Sequence, residues 1–372
     1  MRQILTFCCA TIAVVGRAPA QSPVAAPDYL VWVASEATDR IALVRFSAAR
    51  GATVEREFTI GLLPTDPDGP HGLTVSPDRR FLYITTAHGQ PFGFLWKIDA
   101  ATSAVAGRVE LGMFPATLQL TPDGAFAYVV NFNVHGEMVP SSVSVVGTDD
   151  MIEIARIPTC TMPHGSRMNP QGTKQYSACM MDDLMVEIDT RTFGVARVFS
   201  VAKGVEQVAA LPEAHHSPLP TPHAVSCSPT WAQPSADGSR VYVACNKSNE
   251  ILEIDVDRWT LSRRLPAAEG VYNLAVTHDG HLLLATNKRG QSVSVFELAT
   301  GKELARIPTK RRIVHGVVVS PDDRYAFVSV EGIGSQPGTV EVIDLRTRAA
   351  VAAADVGQMA GGIDFWKTEG GH

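Results

Sequence analysis

Positive charge is in short supply in this chain: 32 lysines and arginines are set against 38 aspartates and glutamates, a net −6 with histidine neutral. Nucleic acid is therefore not an expected partner, since phosphate contacts need a basic face. Long apolar runs are scarcer still. The one candidate, Ile4 to Val15, is too short to cross a bilayer comfortably, so no membrane span is expected. Familiar catalytic signatures are missing as well. There is no Gly-x-Ser-x-Gly elbow, no glycine-rich phosphate loop, no His-Glu-x-x-His and no calcium loop of EF-hand spacing. Without a Cys-x-x-Cys-His, covalent c-type haem is excluded.

Cysteine is sparse, with six residues, and two of them lie in a distinctive amino-terminal stretch. Met1-Arg-Gln, an apolar segment and Ala18-Pro-Ala20 have the three parts of a secretory signal, so residues 1–20 are expected to be a signal peptide cleaved after Ala20. Its loss removes Arg2 and Arg17 and takes the net charge from −6 to −8. The expected location is then periplasmic or secreted. Cys160, Cys179, Cys227 and Cys245 remain, and an oxidising compartment permits two disulfides in three pairings. A chain this long does not need them for stability, so metal binding or a redox role stays open.

What the chain does have is an internal repeat. His71-Gly-Leu-Thr-Val-Ser-Pro-Asp is echoed by copies beginning at His164, His223 and His315, and weaker copies begin at Ala116, Tyr272 and Gly361. The spacings are 45, 48, 59, 49, 43 and 46 residues, the period of a propeller or solenoid. Each unit holds short apolar or alternating runs separated by turn residues, such as Phe81-Leu-Tyr-Ile-Thr-Thr and Phe94-Leu-Trp-Lys-Ile-Asp. About four strands per unit follow, with almost no helix. Residues 21–372 are thus expected to form one all-β, seven-bladed propeller of four-stranded antiparallel blades. The count works only if Gly361 to Trp366 supplies the innermost strand of the blade begun by residues 30–60, closing the ring.

Tyr128-Val-Val-Asn131, Ser142-Val-Ser-Val-Val and Ile152-Glu-Ile-Ala-Arg-Ile-Pro resemble the YVTN-type repeat of YncE-like propellers, a group similar to the cytochrome d1 propeller. The resemblance spans nearly all of residues 30–366 and implies architecture rather than activity. Phe81-Leu-Tyr-Ile-Thr after Ser76-Pro-Asp-Arg-Arg is also similar to seven-bladed lactonases of the 6-phosphogluconolactonase type.

In such a fold all first strands start at one face, so His71, His164, His223 and His315 would ring one mouth of the channel. His88, His135, His215 and His216 fall in loops on that face, whereas His278 and His281 belong to a turn on the other. The long entry Ala202 to Pro222 marks a candidate binding loop. Counting along the hairpins places Cys179 roughly opposite His164 and Cys245 roughly opposite His223. These six residues form the candidate metal site, with Cys179 and Cys245 as possible additional ligands. Imidazole with thiolate favours copper, with zinc or a haem-type cofactor as alternatives, in a binding or redox role with a small molecule, metal ion or protein partner. Met162, Met180, Met181 and Met185 are soft donors nearby, and Lys310, Arg311 and Arg312 make a basic lip. Three other readings compete. The histidines could be structural, each bonding a backbone carbonyl; one could be the general base of a lactonase-like hydrolase or isomerase; or the disc could be a non-catalytic scaffold for protein partners.

Overall fold

The computed structural model describes residues 26–63, 65–88, 92–211 and 225–370. The expected signal peptide, Cys8, Cys9, His215, His216, His223 and His372 lie outside them. Among the described residues the regular structure is β, apart from one 3-10 turn at Glu36–Thr38, and no helix is long and apolar enough to cross a membrane.

The strands are punctuated by one recurring turn. The Ser76 hydroxyl donates to the Asp78 carboxylate at 2.6 Å and accepts the Phe81 N–H at 2.9 Å. The same two bonds recur in Thr121–Asp123, Ser235–Asp237, Thr277–Asp279 and Ser320–Asp322. Short hydroxyl and carboxylate side chains satisfy the backbone where the chain reverses. The residue after the aspartate in three of these turns, Gly124, Gly238 or Gly280, sits at φ +74, +76 or +71, which glycine adopts freely.

Antiparallel meanders of four strands follow from these turns. Five sheets have four strands each, and a sixth has nine. In the nine-stranded sheet the order is antiparallel throughout except at its middle, where Pro163–Met168 and Pro229–Pro234 run parallel and share the single bridge Gly165 to Trp231. Second and third strands are buried on both faces, while outer strands such as Val105–Glu110 alternate toward solvent. The inner strands Pro70–Val75, Pro115–Leu120, Pro163–Met168, Pro229–Pro234, Val271–Val276, Val314–Val319 and Ala360–Glu369 touch one another in that order, and the last touches the first. The architecture is an all-β propeller with antiparallel four-stranded blades around an axial channel. Apolar layers fill the wedges between sheets, as where Trp32 and Leu43 meet Leu73, Leu82 and Ile84.

Ala360–Glu369 pairs antiparallel with Asp28–Ser35, with Trp32 opposite Asp364, so the two ends of the chain share a sheet. One repeat boundary differs from the expected one. Ser228-Pro229-Thr230 spells the repeated turn, yet the inner strand begins at Pro229 and the turn is Ser235-Ala-Asp237-Gly238. The repeated histidine position in that unit is therefore filled by Thr230, and His223 precedes the strand by six residues.

Candidate functional site

Each inner strand begins with an apolar residue or proline, followed by the residue that faces the channel mouth: His71, Ala116, His164, Thr230, Tyr272, His315 and Gly361. Three expected histidines are brought together here. The His71 ring lies 5.5 Å from that of His315 and 6.3 Å from that of His164, centroid to centroid. Tyr272 completes the group, 4.9 Å from His315 and 5.3 Å from His164.

His71 and His164 are each oriented by an oxygen on Nδ1, and His315 is not. His71 Nδ1 is 2.7 Å from Glu36 Oε2, and the other oxygen of Glu36 is 2.5 Å from His88 Nε2. His164 donates from Nδ1 to the Thr230 carbonyl at 2.8 Å, which leaves Nε2 to accept from the Tyr272 hydroxyl at 3.0 Å. His315 Nε2 stands 3.9 Å from Glu331, whose carboxylate is bound more closely by Lys288 at 2.9 Å. His71 Nε2 and His315 Nδ1 are buried with no partner among the described residues.

Burial sets the charges. It holds the His164 imidazole down to about 3 and pushes His315 well below the usual histidine range, so both are neutral at pH 7. Burial alone would raise Glu36, but the attraction and hydrogen bonds of His71 and His88 outweigh it and hold the carboxyl far below its ordinary value. His88 rises in turn, chiefly through its bond to Glu36. Burial opposes the charge of Lys288, yet Tyr272 and Glu331 override it and lift the ammonium above its ordinary value. A second circle of histidine extends outward: Phe114 packs edge-on against His71, His88 and His135 at 5.2 to 5.4 Å.

Below the mouth the channel narrows to Gly72, Thr117, Gly165, Trp231, Asn273, Gly316 and Gly362, and below that come Thr74, Gln119, Arg167, Gln233 and Asp364. A Cβ at Gly165 would lie 2.3 Å from both the Trp231 ring and the Thr230 carbonyl, so only glycine admits the indole here. Arg167 stacks on that indole at 4.4 Å. A cavity of about 30 Å³ is lined by His71, His315, Trp231, Asn273, Thr117 and Arg167, and a funnel of about 520 Å³ occupies the opposite mouth.

The thiols are not donors. Cys160 bonds to Cys179 and Cys227 to Cys245, so Cys179 and Cys245 are excluded as thiolate ligands. Their cross-strand partners are Pro163, one residue short of the expected neighbour at His164, and Pro229, six residues along the chain from His223. Met162 and Met180 pack with Phe114 and Phe132 instead. Within the basic lip, Arg311 is tied to Asp355 and to the carbonyls of Pro337 and Gly338. Among the described residues no group of three or more His, Cys, Asp or Glu is gathered in a ready metal cage.

Glu36, Glu331 and Lys288 are the site residues that the repeat alone did not show. Each follows the last residue of a strand, in a loop on the same face as His88 and His135. The connectivity that located those histidines would have located these three.

No family model matches the chain, and no curated protein matches it. Solved structures do. A Kuenenia stuttgartiensis hydrazine synthase chain superposes with a TM-score of 0.61 at 21% identity, over 80% of this chain and 91% of that one. A functionally unknown protein from Desulfotomaculum acetoxidans DSM 771 superposes at 0.68 and 17% identity, over 91% and 98%. Likeness at this identity shows the β-propeller fold.

Proposed function

We propose that this protein is an exported, YncE-like propeller that binds a transition-metal ion, copper in preference to zinc, at the channel mouth formed by His71, His164 and His315. On this reading the nine-stranded sheet counts as two four-stranded blades joined by one bridge, with Val208–Ala209 as an added edge strand, and the described part of residues 21–372 is a single seven-bladed ring. Two disulfides among the described residues support an oxidising compartment.

The carrying observation is the way the imidazoles are held. His71 is held through Nδ1 by Glu36 and His164 through Nδ1 by Thr230, with Nε2 of His71 left for another partner and Nε2 of His164 bonded by the Tyr272 hydroxyl. Metal-binding histidines are typically oriented in this manner by an oxygen on the far nitrogen. Two imidazoles on one ion, each bonded at about 2 Å, have centroids roughly 5–6 Å apart, which the His71–His315 pair matches. A third ligand requires Tyr272 to release His164 Nε2. With the thiols in disulfides, the donor set is nitrogen, suited to copper or zinc. A cavity of about 30 Å³ has room for an ion and not for a macrocycle, which disfavours a haem-type cofactor inside the channel.

The test is metal analysis of the purified protein after loading with copper and with zinc. About one ion per chain is expected, lost in His71→Ala and His315→Ala. A chain that stays metal-free, or loads equally in both variants, overturns the reading. A second reading has one specific support: Glu36 and His71 form a carboxylate-oriented imidazole with a free Nε2, the arrangement of a general base. Lactone hydrolysis by metal-stripped protein, abolished by His71→Ala, would favour it.

A further inference from the structure

The cavity beneath the histidines has a polar lining that the metal reading does not use. Trp231 Nε1 and Asn273 Oδ1 are buried there with no partner among the described residues, beside His71 Nε2 and His315 Nδ1. Indole nitrogen only donates, and an asparagine amide can turn to present its N–H₂ group.

Arg167 adds the decisive charge. Its guanidinium borders this cavity, stacks on Trp231 and donates to the Ser166 carbonyl at 2.8 Å. Burial lowers it only to about 10, so it stays cationic at neutral pH. Asp364 attracts it from beyond ion-pair distance, and among the described residues no carboxylate reaches it. Arg167 is only partly buried, and a partly desolvated cation without a direct counter-charge still carries a cost that an anion would offset. Water would satisfy the indole and the amide but would leave that charge uncompensated.

We propose that this axial cavity is a binding site for one small monovalent anion of halide size, held by Arg167 and the Trp231 N–H. About 30 Å³ exceeds the roughly 10–15 Å³ that one water requires, which allows a halide and excludes a sulfate-sized ion. The main donors, Trp231 and Arg167, lie one and two layers below the histidines, but His71 and His315 line the same cavity, so the anion is assigned to the metal-free protein.

Bromide is the probe. Crystals of metal-stripped protein grown in bromide should show one anomalous peak in the cavity, against Arg167 and Trp231. In solution, chloride or bromide should raise the melting temperature of the metal-stripped protein with a saturating dependence, and sulfate should not reproduce it. Arg167→Met should remove both the peak and the saturation. Water-only density, a peak elsewhere, or equal response in the variant would overturn the proposal. If Arg167→Met fails to fold, the wild-type peak and Trp231→Phe decide, the latter weakening the halide dependence. A positive bromide result with no metal uptake would sink the metal reading alone, and the converse would sink this one alone.

Discussion

Gly165 and Trp231 share one parallel backbone bridge, and the indole lies against the face where a Cβ at position 165 would project. Two adjacent four-strand units are thereby joined at the axis, and the tryptophan is placed across the channel. Gly165→Ala must push its methyl into the ring and into the Thr230 carbonyl, both at 2.3 Å. Overpacking of this kind costs about 1–3 kcal/mol, and a rigid carbonyl puts it toward the upper end. Denaturant unfolding should show that loss. Adding Trp231→Ala should recover only part of it, because the carbonyl contact remains; full additivity of the two losses would mean that the ring and the glycine are not coupled.

The disulfides carry a separate expectation. Cys160–Cys179 and Cys227–Cys245 close loops of 19 and 18 residues, and loops of that length stabilise by about 3 kcal/mol each through the unfolded chain. Thiol titration of the denatured, unreduced protein should find none of these four cysteines free. Reduction should lower the melting temperature, and Cys160→Ser with Cys179→Ser should reproduce about half of that drop. A protein equally stable with and without reductant would contradict the pairing.

His164 makes stability depend on acid. Its folded value, about 3, lies below the unfolded value of ~6.5, so its contribution is complete above ~6.5 and is lost as pH falls toward the folded value. In that window the unfolded chain takes up a proton that the folded site refuses, at about 1.4 kcal/mol per pH unit for the single group. His164→Gln lacks this proton uptake. The stability gap between wild type and variant should therefore shrink as pH drops below ~6.5, by about that slope. A gap constant with pH would show that His164 is protonated in the folded protein. His88 works in the opposite sense, since a value raised by Glu36 gives stability that is present at low pH and fades as pH rises through it.

How far the sequence was readable varied with the physics of each signal. The Ser-x-Asp turns and two-residue alternation located the strands, because both are local consequences of backbone satisfaction and burial, whereas the shared sheet at the chain ends followed from counting repeats. His71, His164 and His315 fell together because the repeat gives them one register. The unit containing His223 was misaligned for the same reason: Ser228-Pro229-Thr230 imitates the turn spelling, and only the hydroxyl-to-carboxylate bond of Ser235 and Asp237 distinguishes the true turn. Hairpin counting brought the cysteines to the mouth but missed by one residue at Cys179, enough to turn a side chain away from the channel. Glu36 lies in a loop that the same connectivity places on the mouth face, but its pairing with His71, 35 residues away in another sheet, has no local pattern.

Ring closure supplies the last prediction. Ala360–Glu369 is the inner strand of a sheet whose other three strands come from the opposite end of the chain, and Asp364 on it accepts hydrogen bonds from Thr74 and Val75 of the next inner strand. Deleting residues from Ala360 onward leaves Asp28–Ser35 as an unpaired, apolar edge, with Val31, Trp32 and Val33 losing their cover. Such an edge recruits strands from other chains. The truncated protein should lose its single cooperative unfolding transition and elute as oligomers in size exclusion. Trp366→Ala tests closure without removing the strand: the indole packs with Trp32 at 5.8 Å and donates to the Arg79 carbonyl at 2.9 Å. Its loss should cost about 3–5 kcal/mol in a chain that remains monomeric. A truncated chain that stayed monomeric and unfolded cooperatively would show that the ring holds without its clasp.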